Sequence, residues 1–171
     1  GENDVRHLSE LYDEGIRQLD TELGRLLAFL RHQGLDEHTL LIVTSDHGEE
    51  FGDHGGRYHG TTVYEEQLRV PLVISAPNAI APRKITEVVQ TIDLLPTVLS
   101  ALDIPRPPRI RGRDLGPLLS GSRESGPGLA LAETEEQALL AEGPWRLVCQ
   151  RKLGACQLFD VDSDPRQTAD R

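Results

Sequence analysis

Residues Thr39 to Gly55 read TLLIVTSDHGEEFGDHG. The first seven, Thr39 to Ser45, form a nearly continuous apolar run rich in β-branched residues. That texture predicts a short strand buried in a parallel sheet. The remainder is a loop of acids, histidines and glycines that begins where the strand ends. In open α/β sheets ligands bind outside the carboxyl ends of the strands, so a site is expected here. The chain has six histidines. His47, His54 and His59 all fall between Ser45 and Gly60, with Asp46, Glu49, Glu50 and Asp53 among them.

Upstream, Val5, Leu8, Tyr12, Ile16, Leu19, Leu23, Leu26 and Leu30 recur every three or four residues, which predicts one long helix over Val5 to Arg31. Gly34 is placed to stop it, with Arg31 and His32 suited to its negative end. A helix followed closely by a strand is an α/β unit. Downstream, VPLVISAP (Val70 to Pro77) predicts a second buried strand, and ITEVV (Ile85 to Val89) a weaker edge strand. Thr91 to Ile104 predicts a helix that Thr91 can cap. Pro96 fits only in its first turn, so the helix proper should start near Leu94 or Leu95. LGPLLSG, from Leu115, predicts a short helical turn.

The texture changes after Gly128. LALAET, QALLAE, WRLVCQ and CQLFDV are short strand candidates at close spacing, which predicts a small antiparallel meander. The expected organisation is an α/β domain over 1–120, a linker at 121–128 and an antiparallel β subdomain over 129–171. The last ten residues, DSDPRQTADR, predict a turn leading into a helix that is cut short. Cys149 and Cys156 face each other if their strands pair, so one cross-strand disulfide is open. The usual habits of free cysteine favour two unpaired thiols.

Composition bounds the function. The 171 residues carry a formal charge of −10, which disfavours nucleic acid and anionic membranes as partners. No stretch has the apolar length of a membrane span. The chain contains no methionine and begins at Gly1, so it is expected to be a piece of a longer protein.

Asp46 and His47 are adjacent, just past a strand. Carboxylate oxygen and imidazole nitrogen together suit Zn²⁺, Mn²⁺ or Mg²⁺, and Ca²⁺ less, since it prefers oxygen shells. Gly48 supplies a bend that lets neighbours reach one ion, and further ligands would come from elsewhere. A capping aspartate beside a solvated histidine is the bland alternative. His59 is placed to hydrogen-bond an anion, protonate a leaving group or ligate metal. His54 is expected to support the site or be solvated. Glu49 and Glu50 are expected to cap a turn or orient a ligand, with Glu50 the more solvated.

The ordered series TLLIVTSDHGEEFGDHG, YHGTTVYEEQLRVPLVISAP, TIDLLPTVLSAL and RGRDLGPLL resembles the C-terminal half of the sulfatase family, within the alkaline phosphatase superfamily. LYDEGIRQLDTELGRLLAFL resembles the helix before its metal motif, and EGPWRLV and LFDVDSDP its C-terminal subdomain. The resemblance implies an α/β fold: part of an alkaline-phosphatase-like sheet sandwiched by helices, with a small C-terminal antiparallel β subdomain. It also implies a metal-dependent hydrolase of small sulfate esters, or of related phosphate or phosphonate esters. Asp46 and His47 would be metal ligands. Calcium is the usual ion of the family. Many members carry Asn where His47 stands, so Mn²⁺, Mg²⁺ and Zn²⁺ stay open. His59 stands where many members carry a lysine that contacts the anionic group, and is the catalytic candidate. A periplasmic or secreted location is implied as well.

The family nucleophile sits in a Cys/Ser-x-Pro-x-Arg motif, and this sequence contains none. SDPRQ, from Ser163, places its arginine one residue early. The chain by itself is therefore expected to be inactive. Two rivals remain: a phosphatase, phosphodiesterase or phosphonate hydrolase of the same superfamily, and a non-catalytic domain that binds metal or a partner. A serine hydrolase built on Ser45 fails for lack of a G-x-S-x-G elbow.

Overall fold

A computed structural model describes residues 2–123 and 125–171. Gly1, and Glu124 within the expected linker, lie outside the described residues. Helix α1 runs over Glu2–His32. Gly34 ends it as expected, in a left-handed conformation with φ of 65°. The Leu35 N–H donates to the Leu30 carbonyl at 2.9 Å and the Gly34 N–H to the Arg31 carbonyl at 3.0 Å. Those two bonds are the Schellman pattern, which satisfies carbonyls the helix leaves open. Val5, Leu8, Leu23 and Leu30 are half-buried, whereas Leu11, Ile16, Leu19 and Phe29 are exposed.

Strand β1 spans Leu41–Thr44 and β2 spans Leu72–Ser75. Both fall inside the predicted runs, but they pair antiparallel, with Leu41 opposite Ser75 and Thr44 opposite Leu72. The expectation of parallel pairing is corrected for these two strands. An apolar run carries no direction, and burial is not met either: Leu41, Ile42 and Val43 are only half-buried and Val73 is 56% exposed. Between them lies α2, Glu65–Leu68.

Ile85 to Val89 forms no strand; only an isolated bridge joins Val88 to Gly128. Side-chain bonds to the buried Glu87 take the place of a ladder. Its carboxylate accepts from Arg123 at 2.8 and 3.0 Å, from the Gly126 N–H at 2.7 Å, and from Arg113. Arg113 also donates to the Val88 carbonyl at 2.7 Å, and its own N–H donates to Asp93 at 2.8 Å. This clasp precedes α3, Leu94–Ala101, which starts where Pro96 requires. The cap is Gln90 rather than Thr91, since Gln90 and Asp93 bond each other's backbone reciprocally around a turn of 3₁₀ helix. Helix α4 spans Gly116–Ser120.

The meander forms as read. Strands β3 (Leu129–Glu133), β4 (Gln137–Glu142), β5 (Trp145–Gln150) and β6 (Cys156–Asp160) make one antiparallel sheet in that order. Cys149 and Cys156 are directly opposed across β5 and β6 and are disulfide-bonded, against the expectation of free thiols. Close opposition of the two residues brings their Cα atoms to 4.0 Å, which overrides the habit of free cysteine. The final ten residues make turns, with no helix among the described residues. Among the described residues no helix is long and apolar enough to cross a membrane.

The core lies between one face of this sheet and the segment that enters α2. Leu139, Ala141, Val148 and Phe159 pack with Val63 and Tyr64. Alternation along β4 decides this, since Gln137, Leu139 and Ala141 turn inward together.

Glu87 should make stability strongly dependent on acid. Burial pushes its carboxyl up, but the hydrogen bonds from Arg123, Gly126 and Arg113 outweigh burial and hold it at about 2, against an ordinary 4.5. A carboxyl depressed in the folded state stabilises above its unfolded value. That stability is lost as pH falls through the folded value. The shift corresponds to about 3 kcal/mol. Denaturant melts of the wild type should lose roughly that amount between pH 5 and pH 2. Glu87→Gln should be less stable at pH 7 and should lack this part of the acid dependence. A parallel decline in the two proteins would show that Glu87 does not carry it.

Candidate active site

The loop that follows β1 is built around a single carboxylate. Glu50 is 1 % exposed. It accepts the His54 N–H at 3.0 Å, the Gly56 N–H at 2.7 Å, the Gln67 side-chain amide at 2.9 Å and the Thr62 hydroxyl at 3.2 Å. A buried charge without such partners would cost several kcal/mol, on the order of a lost ion pair. The reading of Glu50 as solvated is thus corrected. A glutamate followed within six residues by several glycines and their free N–H groups was the signal that could have found it.

The same residue closes the loop through its backbone. Glu50 and Tyr58 exchange N–H to carbonyl bonds of 2.9 and 3.0 Å. Directly opposed residues of an antiparallel pair share a face, so this bridge sets Glu49 across from His59. Gly48 is needed for close approach: its N–H donates to the Gln67 carbonyl at 2.7 Å. A Cβ there would lie 2.0 Å from the Glu66 carbonyl oxygen.

On the outer rim the structure brings His47, Glu49 and His59 together. The rings of His47 and His59 stack with centroids 3.7 Å apart, inclined by 22°. His59 Nδ1 lies 3.3 Å from both carboxylate oxygens of Glu49. His47 Nδ1 lies 2.7 Å from the Gly48 carbonyl. A carbonyl only accepts, so Nδ1 carries the hydrogen and Nε2 of the neutral ring keeps a free lone pair. That Nε2 is 3.7 Å from Asp46 Oδ1. The gap is too long for a hydrogen bond. It is shorter than two metal–ligand bonds of about 2.1 Å, so one cation fits between the two donors. Asp46 is open to solvent. A hydrogen bond from its own N–H, then the neighbouring His47, hold its carboxyl below the usual range. Among the described residues no cluster of three or more His, Cys, Asp and Glu side chains forms a metal site.

His54 stands apart from this pair. Its Nδ1 bonds Glu66 at 2.7 Å, its Nε2 lies 3.4 Å from the Gln167 carbonyl, and its ring stacks on Tyr64 at 3.6 Å. It supports the loop from below and is not solvated. Asp53 accepts the Phe51 N–H at 3.2 Å within the turn. Phe51 meets Tyr12 of α1 edge to face at 5.4 Å. A cleft of about 250 Å³ opens between them, bordered by Glu49, Arg57 and Tyr58. Gln67 and Gln167, both buried, were not legible as parts of the site's support.

The chain is similar to known proteins over much of its length. A family model described as Sulfatase matches residues 2–104. Arylsulfatase K of Xenopus laevis is 30% identical over 180 residues, spanning 96% of this chain and 33% of the relative. Steryl-sulfatase of Rattus norvegicus is 35% identical over 125 residues, or 64% of this chain and 22% of the relative. The chain thus spans about a third of the length of arylsulfatase K. Among solved structures, BT4656 in complex with its substrate D-glucosamine-2-N,6-O-disulfate aligns with a TM-score of 0.81 at 25% identity, over 91% of this chain and 34% of that one. A phosphonate monoester hydrolase from Silicibacter pomeroyi aligns at 0.74 with 28% identity, over 85% and 33%. With the ordered motifs in the sequence and a family model that matches more than half its length, the chain belongs to the sulfatase family.

Proposed function

We propose that the protein carrying this chain is a sulfuric ester hydrolase and that the loop after β1 forms part of its active site. One observation carries the reading: His47 and His59 stack at 3.7 Å on the rim of that loop, with Asp46 adjacent, in a chain of the sulfatase family. Asp46 Oδ1 and His47 Nε2 would hold a divalent cation, Ca²⁺ by family habit, with Mn²⁺, Mg²⁺ or Zn²⁺ suited by the imidazole donor. Such an ion, when bound, neutralises charge on the ester oxygens. His59 would present Nε2 to the ester and, once that nitrogen also carries a proton, donate from it to the oxygen that leaves or to the anionic group. We place the nucleophile outside these residues, since no Cys/Ser-x-Pro-x-Arg occurs in them, and expect this chain alone to be inactive. The Cys149–Cys156 disulfide supports an oxidising compartment, periplasmic or secreted.

A second reading stays within the superfamily. The phosphonate monoester hydrolase neighbour favours a phosphate or phosphonate ester as substrate. A matched pair of aryl sulfate and aryl phosphate separates the two when given to the full-length protein with each cation in turn. Faster sulfate release is expected, and a preference for phosphate transfers the assignment to the second reading. His59→Ala should lower kcat by about tenfold or more, the low end of acid–base contributions. An unchanged rate removes His59 from the site. Asp46→Ala should lose bound metal by elemental analysis along with activity. Full retention of both would exclude it as a ligand.

A further inference from the structure

We infer that Glu49 is a positioning residue for His59: it selects which ring nitrogen faces the ester. The inference rests on the reading of His59 given above. Both Glu49 oxygens sit 3.3 Å from His59 Nδ1. A carboxylate oxygen accepts there, so Nδ1 carries the hydrogen and the neutral ring keeps its lone pair on Nε2. The His59 side chain is 47% exposed and the Glu49 side chain 18%. The anchored partner is therefore the carboxylate, and the ring is the part that reaches solvent.

Three features hold this pair in register. The Glu50–Tyr58 bridge places residues 49 and 59 opposite each other. The buried Glu50 carboxylate fixes the loop between them through the His54 and Gly56 N–H groups. The His47 ring covers one face of His59, and is itself held by the Gly48 carbonyl at 2.7 Å. Without Glu49, the His59 ring could turn about its side-chain bonds and offer either nitrogen. A misdirected group costs turnover more than binding, because the working geometry is needed as the bond breaks.

The test uses the full-length protein on an aryl sulfate, with Glu49→Ala, Glu49→Gln, His59→Ala and the Glu49→Ala/His59→Ala double variant. Glu49→Ala should lower kcat by about tenfold while KM changes by less than about threefold. Glu49→Gln keeps one acceptor oxygen and should recover part of the loss. In the His59→Ala background, Glu49→Ala should add nothing, because its effect passes through the missing ring. Nitrogen-labelled histidine, read by magnetic resonance, should show His59 in the Nδ1–H tautomer in the wild type and a mixture in Glu49→Ala. Two results overturn the positioning role while leaving His59 in the site: wild-type kcat in Glu49→Ala when His59→Ala is impaired, or an undiminished Glu49→Ala loss in the double variant. Wild-type kcat in His59→Ala overturns both.

Discussion

The carboxylate of Glu50 is the constraint on which the loop after β1 depends. It is sealed from solvent, and a sealed charge is tolerated only when donors converge on it. Two backbone N–H groups, a side-chain amide and a hydroxyl do so. Two of those donors lie in the turn, at His54 and Gly56. The other two lie beyond it, at Thr62 and Gln67. One side chain therefore ties the loop to itself and to α2. The bridge to Tyr58 follows from the same closure, and it sets Glu49 opposite His59.

That loop is mounted on the C-terminal sheet. Three polar ties fix the chain where it enters α2. The Val63 N–H donates to Gln137 of β4 at 3.0 Å, Arg146 of β5 donates to Glu65 at 2.6 Å, and the Glu65 N–H donates to Gln167 at 2.9 Å. Between these ties, Val63 and Tyr64 pack against Leu139, Val148 and Phe159. Tyr64 then carries the His54 ring on one side and meets the Phe159 ring at 6.1 Å on the other. The column Phe159, Tyr64, His54 runs from sheet to loop. Strands β4 to β6 and the loop are thus joined by packed rings and hydrogen bonds around the entry to α2.

Much of this fold is visible in local pattern. The period of α1, the stop at Gly34, the start of α3 set by Pro96 and the four strands after Gly128 are all properties of neighbouring residues. What the pattern misses is settled across long sequence distances. The antiparallel sense of β1 and β2 depends on the route of the chain between them. Ile85 to Val89 has strand composition, but Glu87 in its middle is claimed by Arg113, Arg123 and Gly126, which are remote in sequence. The rim residues Asp46, His47 and His59 were legible by type. Their grouping with Glu49, and the burial of Glu50, were not, because a glutamate in a polar loop reads as solvated until its donors are placed around it.

On the proposed reading an acidic chain receives an anionic ester, and the density of acids in this loop bears on how. With a net charge of −10, the long-range field opposes an anionic ester. Binding then depends on local balance within a few ångströms, where screening matters less than pairing. Glu50 is stabilised by converging donors, Asp53 caps the Phe51 N–H, and Glu49 faces His59. Asp46 is exposed, and on the proposed reading it faces a cation. Each acid in the stretch thus has a partner that cancels its repulsion or turns it to use. A site for an anion can be written in acidic residues when every carboxylate is committed before the ester arrives.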